Sequence, residues 1–251
     1  MKTALITGAS SGIGRDIARE LSKRGWRLLL TARRRDRLEQ LSKELGTPCR
    51  LYICDLSKES NCHWLYEHTK EHHVSLLVNG AGFGLYGTFA QTDLEREMQM
   101  IDVNIRAVHI LTKLYLRDFI EKNEGHILNI ASSAGFLPGP LLSTYYATKN
   151  YVVRLSQAIY EELRESGSAV TISCLCPGPV DTEFNEVAGA SFSLKALSSH
   201  QVAVQAVNQT LAGKLIIMPG AMVKLGSAAS RLIPDKPLLR IIHSIQKQKG
   251  R

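Results

Sequence analysis

The sequence predicts an α/β fold, a single doubly wound parallel sheet with helices on both faces. Three observations predict it. Short apolar runs alternate with longer amphipathic stretches along the chain. The early runs lack polar alternation, as strands covered on both faces do. A glycine-rich turn joins the first run to the first amphipathic stretch.

The expected strands are Thr3–Thr7, Arg27–Thr31, Arg50–Cys54, Leu76–Asn79, His126–Ser132, Val170–Cys176 and Leu215–Met218. Helices are expected between them. Ile13–Arg24 stops at Gly25, and Arg34–Leu45 stops at Gly46. Ser57–His72 opens on a serine that can cap it. Thr92-Asp93-Leu94-Glu95 has the form of a capping box before one long helix to Lys122. Ser143–Ser166 stops at Gly167. No repeat or linker divides the chain, so residues 1–220 are expected to form one catalytic domain. Residues 221–251 are expected to be a basic amphipathic extension packed on it.

With 251 residues, 44% of them hydrophobic, the chain can bury a sizeable core. Met1-Lys2 runs straight into the first expected strand, so no signal peptide is expected, and no apolar run reaches the ~20 residues of a membrane span. The five cysteines form no C-x-x-C, and four sit in or beside apolar runs, so they read as small core residues of a cytoplasmic protein. His68 and His72 share a helix face beside His73, but no third ligand suggests a metal site. The net charge is +8, which a nucleic-acid binder could carry. After Gly220, however, seven basic residues face Asp235 alone, so +6 of that charge belongs to the tail and the body is nearly neutral. No nucleic-acid partner is expected.

The turn Thr7-Gly8-Ala9-Ser10-Ser11-Gly12-Ile13-Gly14 stands between strand and helix, where glycines let the backbone approach a pyrophosphate at the helix N-terminus. The second strand ends in Ala32-Arg33-Arg34-Arg35. An acidic residue there would hold the ribose 2′-hydroxyl of NAD, whereas arginine suits the 2′-phosphate of NADP. Arg33 is the expected phosphate ligand; Arg34 and Arg35 fit a solvated helix start. Asp55, followed by Leu56, closes the third strand and can accept from an adenine amino group. Asn79-Gly80-Ala81-Gly82 closes the fourth, where small residues let a cofactor lie close. Pro177-Gly178-Pro179-Val180-Asp181-Thr182 follows the sixth and is placed to wrap the nicotinamide end.

Asn129 to Asn150 carries the chemistry. Tyr145 and Lys149, at i and i+4, share a helix face, and an ammonium near a phenol lowers its pKa from about 10. Such a tyrosine can exchange a proton near neutral pH. Ser132, at the end of the fifth strand, could bond the same substrate oxygen. Asn104 sits mid-helix, a poor place for an amide without a task.

These motifs, in this order, resemble the short-chain dehydrogenase/reductase family over about residues 3–219. They are TGASSGIG, CDL, NGAG, the Asn104 helix, Ser132, Tyr145-x-x-x-Lys149 and PGPVDT. The resemblance implies a Rossmann-type fold and an NAD(P)-dependent oxidoreductase. It implies Tyr145 as general acid/base and Ser132 as the group that orients the substrate oxygen. It further implies that Lys149 binds the nicotinamide ribose and lowers the Tyr145 pKa, and that Asn104 holds a water linked to Lys149. Ser133 and Tyr146 lie outside the family spacing. The family's N-N-A-G is N-G-A-G here, which removes a side chain that braces the sheet. About thirty residues extend past the last strand.

The expected cofactor is NADP(H), and the expected substrate a small hydrophobic carbonyl or alcohol. Phe83, Phe136, Leu137, Leu141, Leu142, Phe184 and Phe192 are expected around the pocket, and Thr182–Leu197 as a mobile lid. A 3-oxoacyl thioester is the alternative substrate, and a non-enzymatic NADP sensor the alternative function. A homodimer or homotetramer is expected through the long helices. Leu238, Ile241, Ile242 and Ile245 form one apolar stripe, which docks on the body or a partner subunit, with peripheral membrane contact as the competing reading.

Overall fold

The computed structural model describes residues 1–189, 196–230 and 232–247. Seven strands form one parallel sheet: β1 (Thr3–Thr7), β2 (Arg27–Ala32), β3 (Cys49–Ile53), β4 (Val74–Asn79), β5 (His126–Ile130), β6 (Thr171–Leu175) and β9 (Ile216–Ile217). Their order is β3-β2-β1-β4-β5-β6-β9, so the chain reverses direction across the sheet between β1 and β4. In such sheets the crevice beyond the strand C-termini at the switch point takes the ligand.

Both sheet faces are apolar, which is why the early strands lack polar alternation. Ala4, Ile6, Leu28 and Leu30 pack on one side against Ile17 and Leu21 of α1 (Gly12–Lys23) and Leu38 of α2 (Arg35–Glu44). Leu5, Leu29 and Leu77 face the other way. There they meet Leu65 of α3 (Glu59–Thr69), Tyr115 and Phe119 of α5 (Val108–Lys122), and Ile159 and Leu163 of α6 (Ser143–Glu165).

Three expectations need correction. The long helix expected from Thr92 to Lys122 is interrupted: α4 (Leu94–Ile101) and α5 are joined by a π-turn over Asp102–Ala107. Its cap is Asp93, which accepts from the Arg96 N–H at 2.8 Å, while Thr92 turns away and donates to Glu97 Oε1. At α3 the serine cap is absent. Lys58 occupies that position, and the Ser57 N–H instead donates to Asp55 Oδ1 at 3.1 Å. The described residues of the stretch expected as a lid carry regular structure. It holds a short helix α7 (Phe184–Ala188) and is bracketed by β7 (Val180–Asp181) and β8 (Leu197–Ser198), which pair in parallel.

One helix, α8 (Ser199–Leu211), escaped the sequence reading. Ser198 caps it by accepting from the Gln201 N–H, and Val202, Ala203, Ala206 and Val207 bury its inner face. That spacing and the serine were the signal. Two helices follow β9, α9 (Ala221–Ser230) and α10 (Asp235–Lys247). On α10, Leu238, Ile242 and Gln246 are buried, and Ile241 and Ile245 are half exposed. Gln246 Nε2 donates to the Tyr146 hydroxyl, and the Tyr86 hydroxyl donates to the Gln246 carbonyl at 3.2 Å. No helix among the described residues is long and apolar enough to cross a membrane.

A buried polar network joins β4 and β5 to the helices behind them. Asn79 Nδ2 donates to Asn129 Oδ1 at 2.8 Å and to Thr112 Oγ1 at 3.0 Å, and Asn129 Nδ2 donates to Ser156 Oγ at 3.0 Å. Breaking such a bond leaves a desolvated amide with too few partners. Asn129→Leu is therefore expected to cost about 1–3 kcal/mol in urea unfolding. A loss below about 0.5 kcal/mol would show that the network contributes little.

Candidate active site

A cavity of about 400 Å³ opens at the C-terminal ends of the strands. The glycine-rich turn forms one wall, with Gly8, Ser10, Ser11, Gly12, Ile13 and Gly14 lining it. Two of its glycines are required by close approach. Gly8 has φ +68°, and a Cβ there would lie 2.7 Å from the Gly80–Ala81 backbone. A Cβ on Gly14 would lie 2.5 Å from the Gly8 carbonyl oxygen. The turn is thus packed backbone on backbone, and α1 begins at Gly12 with its first N–H groups free for an anion.

The next wall comes from β2 and β3. Ala32 ends β2 with no carboxylate, and Arg33 lies exposed at the cavity edge. Arg34, assigned from sequence to the solvated helix start, belongs to the site as well. It is the residue before α2, and its guanidinium reaches Ser10 Oγ at 3.2 and 3.4 Å and Glu183 at 2.8 Å. Arg35 behaves as expected of a surface residue and, among the described residues, pairs with Glu39 at 3.6 Å. Asp55 and Leu56 line the cavity, as do Ala81 and Gly82. Asn79 does not. Its side chain is buried in the network behind the sheet, because the last residue of β4 points toward α5 rather than toward the cleft. Pro177, Gly178, Val180 and Thr182 form the roof.

These residues fit a dinucleotide. The closely packed glycine backbone, the free helix N-terminus and the arginines beyond Ala32 are the parts that would hold a pyrophosphate and a 2′-phosphate.

Ser132, Tyr145 and Lys149 converge at the far end. Ser132 follows β5, and its Oγ accepts from the Ala134 N–H at 3.1 Å and pairs with the Tyr145 phenol. Tyr145 stands in the first turn of α6, and Lys149 one turn later places Nζ 5.8 Å from its ring centre. Lys149 Nζ donates to the Ile130 carbonyl at 2.9 Å. The electrostatics differ from the expectation of a phenol acidified by its lysine. Both groups are nearly fully buried, and burial raises the Tyr145 pKa above the usual phenol value, with the Ser132 bond opposing it. Burial also lowers Lys149 to about 8, against the opposing influence of the buried Cys174 and Cys176 thiols.

Asn104 lies in the π-turn, wholly buried. Its amide accepts from the Phe83 N–H at 3.1 Å and donates to the Phe83 carbonyl at 2.9 Å and to Thr148 Oγ1 at 3.1 Å. It ties the loop after β4 to α6 between Tyr145 and Lys149. A Cβ on Gly82 would sit 3.0 Å from Asn104 Oδ1 and 3.4 Å from Lys149 Nζ, so the loop passes close to both.

Phe83, Leu142 and Phe184 make the Tyr145 end of the cavity apolar, and the Phe184 ring lies 5.2 Å from that of Tyr145. Phe136 and Leu137 line a separate groove with Tyr146 and with Leu239 of α10. Leu141 has φ +66° and lines neither; its carbonyl accepts from the Gly87 N–H at 2.9 Å. Phe192 lies outside the described residues. Among the described residues no group of three or more His, Cys, Asp or Glu could hold a metal ion.

The short chain dehydrogenase family model matches residues 2–191. An uncharacterised oxidoreductase of Staphylococcus epidermidis is 34% identical over 187 residues, covering 74% of this chain and 80% of that protein. The human very-long-chain 3-oxoacyl-CoA reductase is 33% identical over 192 residues, covering 73% of this chain and 61% of that one. Among solved structures, a short-chain dehydrogenase from Sphingobium yanoikuyae in complex with NADPH superposes with a TM-score of 0.82 at 30% identity, covering 92% of this chain and 95% of that one. A Burkholderia phymatum enzyme in complex with NAD superposes with a TM-score of 0.85 at 25% identity, covering 92% and 93%.

Burial of Lys149 has a consequence for stability. Its pKa is about 8 in the folded protein and close to 10.5 when the chain unfolds. Between those values the unfolded state binds more protons, so stability rises with pH. The stability of the wild type relative to Lys149→Met is expected to improve by about 1–2 kcal/mol from pH 7 to pH 9.5. Parallel stability profiles for the two proteins would refute the buried charge.

Proposed function

The chain belongs to the short-chain dehydrogenase/reductase family, and on that premise we propose that it is an NADP(H)-dependent oxidoreductase for a hydrophobic carbonyl or alcohol. One observation carries the reading. A single cavity has arginines beyond Ala32 at one end and Ser132, Tyr145 and Lys149 at the other. When bound, the nicotinamide supplies or accepts the hydride.

The side chains of this protein handle the oxygen. Ser132 orients it by hydrogen bonding. Tyr145 gives it a proton in reduction and removes one in oxidation. A phenol held protonated by burial is ready to donate, and the Lys149 cation beside it lowers the cost of the phenolate left behind. Lys149 is also placed to bond the nicotinamide ribose. Asn104 contributes through position, since its amide is taken up by Phe83 and Thr148. The apolar walls around Phe83, Leu142 and Phe184 favour a hydrophobic substrate over a sugar.

The likeness to a 3-oxoacyl-CoA reductase and the basic tail favour a 3-oxoacyl thioester as the second reading. The presence of all four catalytic residues argues against a non-enzymatic sensor. Assays of NADPH oxidation against ketones, aldehydes and 3-oxoacyl thioesters separate these readings. In the same assays NADPH should exceed NADH in kcat/KM by about tenfold or more. Tyr145→Phe should lower kcat by about 10²–10⁴ while NADPH affinity stays within about threefold. Equal use of both cofactors would remove the NADP assignment, and near-normal turnover in the variant would remove that of Tyr145.

We also read the protein as a cytoplasmic homo-oligomer, with residues 221–251 an extension of the catalytic domain. Leu94 and Met98 of α4, Ile120 of α5 and Tyr151 of α6 are exposed apolar side chains on the helices that would pair. The buried Leu238 and Ile242 use the stripe that a membrane surface would otherwise take, which supports docking of α10 on the body. Light scattering at micromolar concentration should give at least a dimer; a monomer would refute pairing.

A further inference from the structure

The ion pairs across the cavity mouth are not needed for the chemistry at Tyr145. Glu183 stands on the lid side, immediately before α7. Arg34 and Arg37 stand on the opposite side, one before α2 and one in its first turn. Arg34 bonds one carboxylate oxygen of Glu183 at 2.8 Å and Arg37 bonds the other, so one carboxylate is shared by two guanidinium groups. Arg34 and then Arg37 hold the Glu183 carboxyl below its ordinary range, which shows that both favour its charged form. Arg34 also contacts Ser10 of the glycine-rich turn. Ser10, Arg34 and Glu183 all line the cavity, whereas Arg33 is exposed at its edge outside these ion pairs.

A 2′-phosphate placed beyond Ala32 would meet Arg34 already engaged by an anion. A phosphate monoester carries nearly two negative charges and three acceptor oxygens, so it is a stronger guanidinium ligand than a carboxylate. A ribose hydroxyl carries no charge and cannot displace one. We propose that Glu183 is a built-in competitor for the cofactor's 2′-phosphate: its carboxylate holds Arg34 and Arg37 across the cleft, and a 2′-phosphate takes its place where a 2′-hydroxyl does not. The inference rests on the NADP(H) reading. Glu183 thereby sets the strength of cofactor selection. The next residue, Phe184, packs against Tyr145, so exchange of anions at one end bears directly on the lid at the other.

Calorimetric titration of the full chain with NADPH, NADH and 2′,5′-ADP tests this. Partly exposed ion pairs are each worth up to about fivefold in an equilibrium. Glu183→Gln should therefore tighten NADPH and 2′,5′-ADP by about three- to tenfold and leave NADH within about twofold. NADPH affinity unchanged or weakened in Glu183→Gln, with Arg34→Ala still weakening NADPH alone, would overturn the competitor and leave the phosphate reading standing. If the wild type binds NADPH and NADH alike and Arg34→Ala alters neither, the cofactor reading fails and the competitor falls with it.

Discussion

The site depends on how closely the ends of β1 and β4 approach one another. The Thr7 hydroxyl donates to the Val78 carbonyl at 3.3 Å and accepts from the N–H groups of Gly80 and Ala81 at 3.0 and 3.2 Å. It closes the gap where the strand order reverses and hydrogen bonding between the two strands ends. A Cβ on Gly80 would lie 2.6 Å from the Thr7 carbonyl oxygen, so the contact tolerates no side chain there. The asparagine that the family pattern places at this position would not fit this arrangement without a shift. Asn79, one residue earlier, braces the sheet from behind through Asn129. With both backbones fixed, the glycine-rich turn lies against the loop after β4, and that loop in turn reaches Asn104.

From that junction the proposed catalytic groups are placed by burial as much as by spacing. Asn104 ties the Phe83 backbone to Thr148, whose own hydroxyl donates to the Tyr145 carbonyl at 2.7 Å. Tyr145 and Lys149 are thereby held in a region that water barely reaches. Two effects compete there. The Ser132 hydrogen bond favours phenolate, and desolvation opposes both charges. Desolvation wins at both residues, raising the phenol and lowering the amine. The arrangement stores a protonated acid beside a cation whose charge is costly, so the two groups answer to whatever else enters the site.

The sheet was legible because the strands are short, mostly apolar and bounded by turn residues. The site was legible because glycine turns, Ser132 and the Tyr145–Lys149 pair sit at strand ends or one helical turn apart, where sequence distance fixes spatial distance. The rest needed long-range information. The π-turn at Asp102–Ala107 has one local marker, Asn104 in mid-helix, and that residue does not by itself tell a π-turn from an α-helix. Asn79 was misplaced because strand position does not say which face its last residue takes. The α8 helix had a readable cap and apolar period, obscured by the small-residue run before it. The role of Arg34 was hidden because its partners, Ser10 and Glu183, lie 24 and 149 residues away.

The ion pairs at the cavity mouth and the contacts that hold α10 are of opposite kinds. At the arginine end the contact is ionic and partly exposed, so it can be exchanged for another anion at little cost. Beside the Tyr145 end, α10 is held by buried Leu238 and Ile242 and by the Gln246–Tyr146 hydrogen bond, contacts that no small solute replaces. An exchangeable boundary suits the cofactor, which must enter and leave each turnover. Tyr146 shares its helix with Tyr145, so the tail is anchored one residue from the proposed acid. The same α6 helix therefore carries the proposed acid and, one residue on, the anchor of the tail.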